Sequence, residues 1–217
     1  MTQLFLNRDT GRLYDGGQQV FDALSRAWRR VPQAAEGGDE VSLQDAVRWL
    51  QRESGRPVRA PVSIVGPRAA TDAQLTTAEA LGRAVAGIDL ALLCGGLVGA
   101  MTAAAKGAYE AGGLTIGILP DTDWRDANPY IRLSLATGVG LARNAIIAEA
   151  GFCIVAVGGG HGTLSEMAYG KQFGRPVYGL EDAPQVDGVD YLASVDEAVI
   201  AICRAALNLD GAEKAWR

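Results

Sequence analysis

FCIVAVGGGHGTLSEMAYG, residues 152–170, is the stretch on which the reading of this chain depends. An apolar run, Phe152 to Val157, meets Gly158-Gly159-Gly160-His161-Gly162-Thr163 and passes into a segment of helical character. The order expected is a buried strand, a glycine turn and a helix start. Glycines without Cβ let the backbone approach a ligand, and the free N–H groups of a helix start favour negative charge. Such a turn suits a phosphate. Glu166 lies just inside the helix, where a phosphate cradle alone asks for no carboxylate, and its presence raises the question of chemistry.

Outward from this turn, strands and helices alternate. Val62-Ser63-Ile64-Val65 reads as a strand ending at Gly66-Pro67-Arg68, and Asp72 is expected to cap a helix that runs to about Ala86. Leu90 to Cys94 is a second strand, ending at Gly95-Gly96, and a helix from about Val98 to Glu110 is stopped by Gly112-Gly113. Thr115 to Leu119 is a third strand, followed by a polar loop over residues 121–129. Ile131 to Ala136 reads as a fourth strand, Leu141 to Ala150 as a helix, Pro176 to Leu180 as a strand and Val195 to Leu207 as a closing helix. The pattern predicts an α/β protein with a Rossmann-like, doubly wound, mostly parallel sheet and helices on both faces. Ligands of such sheets sit at the carboxyl ends of the strands. The candidate site therefore gathers Gly66-Pro67-Arg68, Gly95, Gly96 and Gly99, the 120s loop, Arg143 and Asn144, and Gly158 to Thr163.

Residues 1–60 differ in character from the rest of the chain and read as an accessory segment, with 61–217 as the ligand-binding domain. Leu4-Phe5-Leu6 and Arg12-Leu13-Tyr14 flank a short glycine-bearing loop, the signature of a hairpin. Over residues 17–31, Val20, Leu24, Ala27, Trp28 and Val31 stand at helical spacing, so a helix is expected there. A polar break from Pro32 to Glu40 precedes a second helix that carries Leu43, Ala46, Val47 and Leu50, with Ser42 and Asp45 as its capping signal. Trp28 and Trp49 read as core anchors.

Composition narrows the function classes. With 217 residues, 48% of them hydrophobic, and 28 glycines, the chain reads as one well-buried α/β domain with a small appendage. It has no apolar run long enough to span a membrane and no basic-then-apolar leader, so a cytoplasmic protein is expected. A net charge of −5 argues against a nucleic-acid surface, so an anionic ligand needs a local site. Cys94, Cys153 and Cys203 form no C-x-x-C pair and are expected to be buried thiols. With His161 the only histidine and no acid–cysteine cluster at ligand spacing, no protein-ligated metal is expected. A dinucleotide fingerprint is incomplete, because Ser165 stands where the third glycine belongs, although Glu181 follows at the distance of a ribose-binding acid. No phosphate-loop NTPase motif is present.

Three motifs in order, Cys94-Gly95-Gly96-Leu97-Val98-Gly99-Ala100-Met101, Ala142-Arg143-Asn144 and Gly159-Gly160-His161-Gly162-Thr163-Leu164-Ser165-Glu166, resemble one superfamily over roughly residues 60–205. It contains the cytokinin-activating phosphoribohydrolases, the "Lonely Guy" enzymes often mislabelled lysine decarboxylases, and the molybdenum cofactor carrier proteins. The hydrolase branch implies cleavage of base from ribose 5′-monophosphate, with Gly159, Gly160, Gly162 and Thr163 at the phosphate and Arg143 and Glu166 in the catalytic places. Gly158 replaces the leading proline of that branch, and the Ala-Arg-Asn context is closer to the carriers. The carrier branch implies a phosphate-bearing pterin, the molybdenum cofactor, as cargo. The resemblance also implies a homo-oligomer packed through helices near the glycine motif, a role that the Met167-Ala168-Tyr169 stretch suits. A nucleotide-sensing domain without chemistry is a third reading. Thr163-Leu164-Ser165-Glu166 also fits a capping box, in which Glu166 merely satisfies backbone N–H groups. Lys106 is expected to point to solvent.

Overall fold

The structure, a computed structural model, describes residues 3–32 and 37–211. Its amino-terminal part is a five-stranded antiparallel sheet in the order β4-β3-β2-β1-β5. The strands are β1 (Leu4–Asn7), β2 (Arg12–Tyr14), β3 (Gln19–Asp22), β4 (Ala27–Arg30) and β5 (Asp39–Val41), followed by helix α1 (Leu43–Arg52). The hairpin and the Ser42-capped helix stand as expected.

Two expectations for this part are corrected. Residues 17–31 form β3 and β4 rather than a helix, because turn chemistry overrides the apolar spacing. The Asp22 carboxylate accepts from Leu24 N at 3.0 Å and Ser25 N at 3.4 Å, and Arg26 takes φ 55°, so the chain reverses at this point. Phe21 and Trp28 then face each other across the hairpin with ring centroids 5.2 Å apart, while Leu24 stands exposed at its tip. The polar break also ends earlier than expected, since β5 begins at Asp39; residues 33–36 of that break lie outside the described residues.

The remainder builds a seven-stranded parallel sheet in the order β12-β11-β10-β6-β7-β8-β9. Its elements are β6 (Val62–Val65), α2 (Asp72–Gly87), β7 (Leu92–Cys94), α3 (Ala100–Glu110), β8 (Thr115–Leu119), β9 (Leu133–Ala136), α4 (Arg143–Ala150), β10 (Cys153–Val157), α5 (His161–Gln172), β11 (Val177–Leu180), β12 (Asp190–Tyr191) and α6 (Val195–Ala206). The chain adds strands outward from β6 on one side, then returns through α4 and adds β10, β11 and β12 on the other. Strand order therefore reverses between β6 and β10, the point at which α/β sheets bind ligands.

The central strands are buried along their whole length, as strands covered by helices on both faces must be. One core cluster runs from Leu4, Leu13 and Phe21 through Leu50 to Leu81, Leu92, Phe152 and Ile202, so the amino-terminal sheet and the α2–α3–α6 face share a single interior. A second cluster around Val65, Ile118, Ile147, Ile154 and Met167 lies under α4 and α5. All three cysteines are buried free thiols.

Local signals explain the helix limits. α2 is capped by Thr71, not by Asp72 as expected: Thr71 Oγ1 accepts from Gln74 N at 3.2 Å and Gln74 Oε1 accepts from Thr71 N at 3.1 Å. α2 and α3 touch through backbone, since a Cβ on Gly82 would fall 2.0 Å from Ala104 O and one on Gly107 would fall 1.9 Å from Glu79 O. Lys106 does not point freely to solvent; its ammonium bonds both oxygens of Glu79 at 3.0 and 2.9 Å and ties α3 to α2.

Candidate functional site

At the reversal of strand order, a cavity of about 280 Å³ opens at the carboxyl ends of the strands. Gly66, Pro67 and Arg68 contribute from the end of β6, Met101 from α3, Leu141 from the turn before α4, and Arg143 and Asn144 from the start of α4. Gly160, Gly162, Thr163 and Glu166 contribute from α5. A larger cavity of about 470 Å³ lies at the opposite, amino end of the strands among Gln51, Arg59, Asp89 and Leu114. The first is the stronger candidate because three separate strand-end turns and the start of α3 converge on it.

The α5 turn works by what it leaves open. Gly158 at φ 63° and Gly159 at φ 140° hold conformations that a side chain would strain, and a Cβ on each would strike Gln74 and Thr163 respectively. Gly160 is the N-cap and supplies no side-chain bond, and Leu164 N closes the first turn of the helix by donating to Gly160 O at 2.8 Å. The N–H groups before it are the orphans that an anion satisfies. Nothing lies within 4 Å of a Cβ on Gly160 or Gly162, so both face open space.

Because α5 starts at His161, Thr163 and Glu166 are interior helix positions and the capping-box reading of Glu166 falls away. Thr163 is buried against Gly159. Glu166 is only 8% exposed, lines the cavity, and makes no hydrogen bond or ion pair with any described residue. Burial raises its carboxyl from the ordinary 4.5 to about 8, and the Arg143 charge offsets part of that rise. Burial thus disfavours the charged form of this carboxyl.

Arg143 is held elsewhere. Its Nη1 donates to the carbonyls of Gly95 and Ile118, at the ends of β7 and β8, while its Nε is buried without an acceptor among the described residues. Burial lowers the guanidinium pKa, which leaves it cationic at neutral pH. Gly95 makes room for it, since a Cβ there would lie 2.6 Å from Arg143 Nη1. Asn144 Nδ2 donates to Ser165 Oγ at 2.9 Å, and Ser165 Oγ donates to Gly162 O at 2.7 Å, so α4 steadies the start of α5.

Of the residues expected at the site, Arg143, Asn144, Gly160, Gly162, Thr163 and Glu166 line the cavity together. Gly95, Gly96, Gly99, Gly158 and Gly159 stand behind it. Gly96 packs on Leu119 and Gly117, and a Cβ on Gly99 would lie 2.2 Å from Arg68 O. His161 is exposed at the first turn of α5, and Glu181 accepts from Thr77 Oγ1 at 2.7 Å. Met167 is wholly buried and so is not surface for a partner, whereas Tyr169 is exposed and stacks on Phe173 at 5.8 Å. Sequence reasoning placed the Gly66-Pro67-Arg68 turn at the site but gave the Arg68 side chain no role; its signal was the glycine-proline stop directly after a buried strand. No group of three His, Cys, Asp or Glu among the described residues is placed to hold a metal. No helix among them is long and apolar enough to cross a membrane.

The model of the SLOG cluster4 family matches residues 59–203. An uncharacterized protein from Archaeoglobus fulgidus is 34% identical over 139 residues, covering 64% of this chain and 91% of the relative. Among solved structures, the molybdenum cofactor binding protein from the phototrophic bacterium Rippkaea orientalis is similar with a TM-score of 0.63 and 33% identity, covering 67% of this chain and 96% of that one. The molybdenum cofactor carrier protein from Chlamydomonas reinhardtii gives 0.61 and 37%, covering 67% and 98%.

Proposed function

Because the chain belongs to the SLOG cluster4 family, we propose that it binds a phosphate-bearing small molecule at the amino terminus of α5 and releases it intact, as a carrier. The observation that carries this reading is the uncapped start of α5, where Gly160 and Gly162 face an open cavity beside the buried cation of Arg143. The similar cofactor-binding proteins point to the molybdenum cofactor as cargo. The residues present fit such a cargo at its phosphate. Backbone N–H groups and guanidinium are hard donors suited to phosphate oxygens, while the nearest thiol, Cys94, is fully buried and pushed up to about 11.

The cavity separates the fold from the function at Gly162. Gly162→Leu places its side chain in empty space on a helix, so folding is expected to stay within about 1 kcal/mol of wild type. Binding is expected to weaken by about 100-fold or more, because the added atoms occupy the ligand's volume. Isothermal titration with AMP as probe checks this; unchanged affinity would place the site elsewhere.

One observation favours a second reading, a nucleoside 5′-monophosphate phosphoribohydrolase: the buried Glu166 carboxyl is unpartnered among the described residues and faces the cavity next to Arg143. The carrier reading comes first because Gly158 and the Ala142-Arg143-Asn144 context are closer to the carriers, and the similar solved structures are cofactor carriers.

Assembly belongs to the same proposal. Leu141 in the turn before α4 and Ile146 of α4 stand exposed, as do Leu164 and Tyr169 of α5, and these apolar residues suit a second copy of the chain. Sedimentation velocity is expected to show a dimer or larger species, and Ile146→Glu to shift it toward monomer; a wild-type monomer at tens of micromolar would rule this out.

A further inference from the structure

Resting on the phosphate site proposed above, we infer that Arg68 forms a second anion subsite beside the α5 turn, so that the pocket selects a diphosphate-bearing ligand over a monophosphate. β6 and β10 are adjacent and in register to Val65 and Ala156. The Gly66-Pro67-Arg68 turn therefore leaves the sheet alongside the Gly158–Gly160 turn, and Gly66 sits so close that a Cβ would lie 2.8 Å from Val157 O.

The backbone of Arg68 is clamped while its side chain is free. Ala100 N donates to Pro67 O at 3.0 Å, and the missing Cβ of Gly99 leaves room for the carbonyls of Pro67 and Arg68. Arg68 is exposed, lines the cavity, and makes no hydrogen bond or ion pair with any described residue. Arg143, by contrast, has spent its Nη1 on two carbonyls and is fixed in place.

Charge points the same way. Beside the larger effect of burial, the Arg68 charge lies near enough to Arg143 to lower the Arg143 guanidinium pKa, a like-charge arrangement that a bound anion relieves. The cavity thus gathers two guanidinium groups and a helix amino terminus, and burial disfavours the charged form of the carboxyl in its lining, Glu166. One phosphate occupies the N–H groups of α5, and a phosphoryl group joined to it lies within the sweep of a free, forked guanidinium, which holds two oxygens at once.

The test titrates the full chain with inorganic phosphate and with pyrophosphate at constant ionic strength, using wild type, Arg68→Ala and Arg68→Lys. Wild type is expected to bind pyrophosphate about tenfold or more tighter than phosphate. Arg68→Ala should bring that preference to within about twofold while phosphate affinity changes by less than about threefold, and Arg68→Lys should keep part of it. A wild type with no preference, or a preference that survives Arg68→Ala, would overturn the subsite and leave the phosphate site standing. If neither anion binds wild type, the phosphate site itself falls and this inference falls with it.

Discussion

Replacing Glu166 by glutamine is expected to raise folding stability by about 2–4 kcal/mol at pH 8 and to change it by less than about 1 kcal/mol at pH 4. Glu166 is buried without a partner among the described residues, and its folded-state pKa of about 8 lies above the ordinary 4.5. The folded chain keeps a proton that the unfolded chain gives up. Stability is therefore full below about pH 4.5, declines as pH rises toward 8, and levels off above it. Glutamine has no proton to lose and escapes the decline. Urea midpoints at the two pH values test this, and an equal difference at both would show that Glu166 is not held neutral by burial. The same variant separates the two functional readings. If wild type releases free base from AMP or other nucleoside 5′-monophosphates and Glu166→Gln does not, the hydrolase reading prevails; with no release from either, the carrier reading stands.

Arg143→Met is expected to cost about 3–5 kcal/mol, the largest loss expected of any single substitution at the site. Methionine replaces only the aliphatic part of the side chain, leaves the guanidinium's space unfilled, and cannot donate to the carbonyls of Gly95 and Ile118. Both would be left buried at the ends of neighbouring parallel strands, where little water reaches them. Arg143→Lys should recover part of the loss, since an ammonium can also donate to these carbonyls but stands on a shorter stem than the guanidinium Nη1. Thermal or urea unfolding decides; a loss below about 1 kcal/mol for Arg143→Met would mean that the guanidinium is not a structural clasp.

The parallel sheet was legible because its central strands are short and mostly apolar, and β6, β7, β8 and β10 each stop at a glycine or proline. Three motifs in order carried the family, which the match over residues 59–203 bears out. Residues 17–31 misled because Val20, Ala27 and Trp28 satisfy helical spacing and a hairpin equally well, and the choice rests on what Asp22 does to its own backbone. Glu166 was ambiguous for a similar reason: Thr163 to Glu166 reads as a cap until the helix is seen to begin two residues earlier. The partners of Arg143 left no local trace at all. Gly95 and Ile118 lie 48 and 25 residues away in sequence and reach it only through the pairing of β7 with β8.

The amino-terminal sheet is fastened to the far end of the described chain: Trp28 Nε1 donates to Leu207 O at 2.8 Å and Asn208 Nδ2 donates to Arg26 O at 2.8 Å. These partners are separated by 179 and 182 positions. During synthesis this sheet must wait for a segment made much later before the Trp28 end of its apolar side is tied down. Throughout translation its strand edges and the Phe21–Trp28 surface stay open to wrong partners, so the yield of native protein in the cell depends on what shields that surface until α6 has left the ribosome.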